Sequence, residues 1–151
     1  MSLTDEVRKK ALNLLNRRDM SVKEFTDKMT DKGISPADAD EAAQWLLDMR
    51  ALDDERYAGL ITRHYSAKGY GKRRIQQELY RRGVPKDLWE DALAEMPEVD
   101  DKLDILLRSK LKSSSPDRAE LKKATDALSR RGYSWSEITA AVERFKTDTE
   151  D

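Results

Sequence analysis

Cysteine is absent from the chain, and that one fact excludes a disulfide framework, a thiolate metal site and a cysteine nucleophile together. His64 is the sole histidine, so no paired imidazoles exist at metal-binding spacing, and neither GxxxxGK[ST] nor HExxH occurs. Gly69-Tyr70-Gly71 resembles the opening of a dinucleotide fingerprint, but it lacks the third glycine and follows a helical pattern instead of a strand. It reads better as a helix C-cap and turn. No apolar run approaches the ~20 residues needed to span a bilayer, and the N-terminus has no secretory core. A cytoplasmic protein without a membrane segment, without catalytic residues and with no cofactor is the expectation.

What the chain has in quantity is charge. Charged residues make up 39% and hydrophobic ones 38%, so the apolar supply must be concentrated on narrow helical stripes. The net charge of -1 argues for no partner, but its distribution does. From Arg56 to Lys86 nine basic residues (Arg56, Arg63, Lys68, Lys72, Arg73, Arg74, Arg81, Arg82 and Lys86) stand against Glu78 alone.

Three segments, KMTDKGIS, ELYRRGVP and ALSRRGYS, share a pattern around Gly33, Gly83 and Gly132, which are 50 and 49 residues apart. Eight before each glycine lie Phe25, Ile75 and Ala124, and four before lie Met29, Leu79 and Leu128. Ile34, Val84 and Tyr133 follow directly. Further on come Ala39, Ala42, Ala43 and Leu46, then Trp89, Ala92, Leu93 and Met96, then Ile138, Ala141, Val142 and Phe145, at intervals that mark one face of a helix. Each repeat therefore reads as a helix ending at a left-handed glycine, a short turn, and a second helix opened by Ser35-Pro36, Pro85 or Ser134.

An upstream helix completes each repeat, with stripes at Val7, Ala11, Leu14 and Leu15, at Tyr57, Leu60, Ile61 and His64, and at Leu103, Leu106, Leu107 and Leu111. Ser21 with Glu24 is a capping box, and Asp53 before Asp54 and Glu55 is an N-cap with acid in the first turn. The expected fold is all-α: three tandem three-helix repeats, 1–51, 52–97 and 98–151, packed edge to edge into an elongated curved body. Lys112 to Arg118, with Ser113, Ser114, Ser115 and Pro116, is the expected flexible linker, the terminal TDTED is expected to be disordered, and Trp45, Trp89 and Trp135 to serve packing.

At ~100° per residue, Ile75 and Leu79 define the buried face of the helix from Lys72 to Arg82, and Arg73, Arg74, Gln77 and Arg81 fall opposite. Lys32, Arg82 and Arg131 precede the glycines at helix C-termini, where cations are favoured in any case. Lys23, Arg73 and Lys122 sit near helix N-termini, where cations are disfavoured, and that placement hints at a binding surface. The second and third repeats present Arg74 and Arg81, and Lys123 and Arg130, where the first has Glu24 and Asp31. A polyanion or an acidic protein surface is the partner class this favours.

At LDDERYA (Leu52 to Ala58) and KGYGKRRIQQELYRRGV (Lys68 to Val84) the sequence resembles the RecX family of RecA regulators, and the likeness extends through the first repeat and DALSRRGYSWSEI. The resemblance implies tandem three-helix units that lodge in the groove of a RecA filament on DNA. It implies limits on filament extension, ATP hydrolysis, recombination and co-protease activity, and so a place in DNA repair and the SOS response. It offers no catalytic residues. Its basic surface maps onto Lys72, Arg73, Arg74, Arg81 and Arg82, with Lys122, Lys123, Arg130 and Arg131 as counterparts and Arg63 and Lys68 beside them.

A monomeric filament-binding protein with weak direct DNA binding is the resulting expectation. A helix-turn-helix DNA-binding regulator is an alternative, but its candidate recognition helices carry Asp38, Asp40, Glu41 and Asp48, or Asp87, Glu90, Asp91 and Glu95, which a major groove would repel. A sequence-independent single-strand binder using the basic stripe with Tyr65, Tyr70 and Tyr80 is another.

Overall fold

A computed structural model describes residues 3–150, with side chains through residue 148, and every regular element in it is helical. The helices are α1 (Asp5–Arg17), α2 (Val22–Asp31), α3 (Pro36–Asp48), α4 (Asp54–Ala67), α5 (Lys72–Arg81), α6 (Trp89–Leu93), α7 (Val99–Lys110), α8 (Arg118–Arg130) and α9 (Trp135–Glu150). A 3₁₀ turn, Lys86–Leu88, precedes α6.

Local chemistry places most of the ends. Ser21 accepts from the Glu24 amide while Glu24 reaches back to the Ser21 amide, closing the capping box that opens α2. Ser35 caps α3 with Pro36 at its first position. Asp53 accepts from the Arg56 N–H at 3.0 Å, and Ser134 and Glu137 exchange reciprocal bonds at the start of α9. Gly33, Gly83 and Gly132 have φ of 90°, 77° and 101°. Behind each, the next residue's N–H bonds a carbonyl five back: Ile34 to Met29, Val84 to Leu79 and Tyr133 to Leu128. Gly69 does the same for α4, with Tyr70 bonding Tyr65, so the Gly69-Tyr70-Gly71 segment is a C-cap and turn.

Two compact units result. The chain up to Leu60 together with Leu79–Ala92 forms one, and Ile61–Glu78 with the chain from Leu93 onward forms the other. The first is centred on Phe25, Met29, Ala39, Ala42, Leu46 and Leu52, all 2% exposed or less. The second is centred on Leu103, Leu107, Leu128, Ile138 and Ala141. Segment 52–97 contributes residues to both units.

Several expectations need correction. In α4 the buried stripe is Tyr57, Ala58, Ile61 and Thr62, while Leu60 and His64 are exposed. The apolar positions alone mislead there because a threonine and an alanine occupy the inward face. Trp135 is 74% exposed and does not pack in a core. The helix expected over Trp89 to Met96 stops at Leu93, short of Pro97, which disfavours helical backbone at Met96. The terminal TDTED was expected to be disordered, yet α9 runs through Glu150, Thr147 bonds the Glu143 carbonyl, and Asp148 pairs with Arg108 at 2.7 Å. Asp151 lies outside the described residues.

Candidate partner-binding surface

The turn from Lys68 to Arg74 and the C-terminal end of α8 meet within the second unit, and glycine makes the approach possible. A Cβ on Gly71 would lie 2.6 Å from the Gly132 carbonyl carbon and oxygen, and one on Gly132 would run into the Arg74 amide nitrogen. With both side chains absent, the Gly71 N–H donates to the Arg131 carbonyl at 2.8 Å and the Arg73 N–H to the Gly132 carbonyl at 3.1 Å. Amides at the start of α5 thus meet the carbonyls of the two residues that follow α8.

Cations gather at this junction. The Arg73 guanidinium donates to the Ser129 carbonyl at 2.8 Å, and Arg131 donates to the Lys68 carbonyl at 3.1 Å. Arg74 and Arg131 lie over the Tyr70 ring, 5.5 and 5.3 Å from its centroid. The Tyr133 hydroxyl donates to the Gly69 carbonyl at 2.8 Å, and burial pushes its pKa up. Lys102 donates to the Ala67 carbonyl. Arg131 and Lys102 therefore cap the C-terminal carbonyls of α4, where positive charge is favoured.

The structure thereby sorts the sequence-derived candidates. Arg73, Arg74 and Arg131 make contacts at the junction as well as presenting charge, so Arg73 and Arg74, which helical phase puts opposite Ile75 and Leu79, also have structural partners. Lys68, Lys72, Lys123 and Arg130 are exposed and form no ion pair among the described residues. Arg63 pairs with Glu95 at 2.7 Å, and Lys122 with Asp126 at 2.9 Å. Lys23 pairs with Asp27 one turn on, so the cations near the N-termini of α2 and α8 both have a local structural explanation.

Arg81 and Arg82 belong to the first unit. Arg82 donates to the Tyr57 hydroxyl at 2.8 Å and lies 6.0 Å from that ring's centroid. Arg81 is exposed. Glu78, the single acid between Arg56 and Lys86, is 4% exposed, so it adds no exposed negative charge to the basic segment.

Sequence reasoning missed Lys110 and Lys112, which join Lys123 and Arg130 around a cavity of about 460 Å³ floored by Ala119, Ala124 and Ala127. Its one acid, Glu120, accepts from the Lys112 amide. Helical phase within α8 could not have found these lysines, because they lie on α7 and the loop after it. Among the described residues no group of three or more histidine, aspartate or glutamate side chains could hold a metal ion, and no helix is long and apolar enough to cross a membrane.

Family models describing the first and second three-helix domains of RecX match residues 8–46 and 53–93. The chain belongs to the RecX family. A protein named regulatory protein RecX from Vibrio parahaemolyticus is 37% identical over 134 residues, covering 87% of this chain and 86% of its own length. One of the same name from Xanthomonas campestris is 35% identical over 144 residues, covering 94% and 87%. The crystal structure of RecX from Lactobacillus salivarius superposes with a TM-score of 0.86 at 22% identity, covering 94% of this chain and 96% of that one, which establishes the shared RecX fold. Within that fold the junction described above is built from the KGYG and SRRGY segments, which accounts for their glycines.

Proposed function

We propose that the protein is a negative regulator of RecA that binds the RecA filament on DNA and limits its extension, ATPase, recombinase and co-protease activities. Its membership in a family whose relatives are named as regulatory proteins supports this reading. The observation that carries it is the gathering of exposed cations in the second unit, with Lys68, Lys72, Arg73 and Arg74 brought to the end of α8 beside Arg130 and Arg131. Such a surface attracts acidic protein or a bound strand and acts by occupancy, so no turnover and no cofactor is needed. The protein acts as a cytoplasmic monomer.

The test is a titration into RecA on single-stranded DNA while ATP hydrolysis is followed. Lys72→Glu with Lys123→Glu and Arg130→Glu touches only cations that make no described ion pair, so folding is retained while inhibition is lost. Full inhibition by that folded variant at equal concentration and salt would remove this surface from the mechanism. Sequence-independent single-strand binding is a second reading, favoured by the Arg74 and Arg131 guanidiniums beside the Tyr70 ring and by Tyr80 at 77% exposure. Tighter binding to bare oligonucleotide than to the filament would select it.

A further inference from the structure

The most exposed tryptophan of the chain borders an apolar groove that neither the fold nor the basic surface explains. Trp135 and Val142 line one side on α9 and Leu121 the other on α8, with the buried Ile138 beneath them and Arg118 and Lys122 on the rim. The groove encloses about 370 Å³, room for a few side chains of a ligand. The lining residues recur at helical spacing on both helices, so the groove runs between α8 and α9.

The first unit shows what covers the corresponding face of the first repeat. Counted from Gly33 and Gly132, Leu121, Ile138 and Val142 stand where Val22, Ala39 and Ala43 stand in the first repeat. Ala39 and Ala43 are buried in one cluster with Leu52. Asp54 accepts from the Val22 N–H at 2.9 Å, and Arg18 at the head of the same face bonds the Tyr57 hydroxyl. The covering segment is therefore an apolar residue, an acidic first helical turn and an aromatic. At the third repeat that face carries larger apolar side chains: Ile138 is buried beneath it, Leu121 and Val142 are half-buried, Trp135 is exposed, and the positive end of α8 adds Arg118, which forms no ion pair among the described residues. Lys122 is partly neutralised by Asp126.

We propose that this groove receives an amphipathic helix from a partner protein, its apolar side chains seated between Leu121 and Trp135 and its acidic first turn against Arg118. The binding mode is a helix laid into a hydrophobic groove, and the charge at the rim sets its direction. The proposal concerns a surface separate from the Lys72 and Arg130 cations and stands whether or not those bind a filament.

The experiment uses the full chain, uniformly labelled with nitrogen-15, and a synthetic capped peptide of about 18 residues, five helical turns. The peptide carries leucine at positions spaced three and four apart and glutamate in its first turn, and a control peptide carries lysine there. The acidic peptide is expected to shift the amides of α8 and α9 that line the groove. Trp135→Ala should weaken it about tenfold, as loss of an aromatic anchor does. Arg118→Glu and the lysine peptide should each also bind more weakly. Both substituted side chains are exposed, so the circular dichroism melt should be unchanged. Absence of those shifts, or equal binding by Trp135→Ala or by the lysine peptide, would overturn the proposal. So would self-association of the wild type that Trp135→Ala abolishes, since a second copy would then be the occupant.

Discussion

Gly132 has φ of 101° and no room for a methyl group against the Arg74 backbone, whereas Gly33 has φ of 90° with open space around it. Gly83 lies between these cases, since its Cβ would meet the Lys23 Cβ and Cδ at 2.8 Å, a side-chain contact and not a backbone one. Alanine at Gly33 should cost ~1 kcal/mol from backbone conformation alone. At Gly132 it should cost about 3 kcal/mol or more, because backbone must move. Urea unfolding midpoints in the order Gly33→Ala, Gly83→Ala, Gly132→Ala, highest to lowest, are the expected result. Equal midpoints would mean that the Gly132 approach is not tight. Arg73 belongs to the same contact: Arg73→Ala should lower stability by about 1 kcal/mol through the lost bond to the Ser129 carbonyl. A charge reversal at Arg73 and Arg74 therefore tests folding and binding at once, whereas Lys72 separates them.

At the scale of elements, the start of α2 makes stability depend on pH. Burial by itself raises the Glu24 carboxyl, but the Ser21 amide, Arg18 and Tyr57 together outweigh it and hold its pKa below the ordinary carboxylate value. A depressed folded-state pKa adds stability that is fully present above the unfolded value of about 4.3 and is lost as pH falls through the folded value. Glu24→Gln should cost ~1 kcal/mol at neutral pH, with the gap to wild type closing on acidification. Thermal melts of both proteins from neutral pH downward measure it. Asp54 has the opposite sign, because burial foremost raises its pKa, so its ionised form opposes folding at neutral pH. Asp54→Asn keeps an oxygen acceptor for the Val22 N–H and should be at least as stable as wild type at neutral pH, an advantage that fades as pH falls.

For the whole molecule, a surface neutralising ~4 phosphates gives a slope of log K against log salt of about -3 on single strands. Binding to bare oligonucleotide, followed by fluorescence anisotropy over a salt series, should be weak and show that dependence. Lys72→Glu with Lys123→Glu and Arg130→Glu should flatten it. Tight binding that is indifferent to salt would instead place stacking on the tyrosines ahead of charge.

Among the described residues, the order of the nine helices, the left-handed glycine caps, the capping box of Ser21 and Glu24 and the location of the basic segment were all legible in the sequence. Each depends on residues within one or two helical turns, where spacing and side-chain type state the physics directly. The inward turn of α4 onto Ala58 and Thr62 was not legible, nor was the exposure of Trp135, because the neighbours that cover one face and leave another bare are remote in the chain. The same reason applies to the cations. Their number could be counted from residue to residue, but only the tertiary structure decided that Arg73, Arg74 and Arg131 would make contacts where Gly71 approaches Gly132, while Lys68, Lys72, Lys123 and Arg130 stay exposed and, among the described residues, without ion pairs.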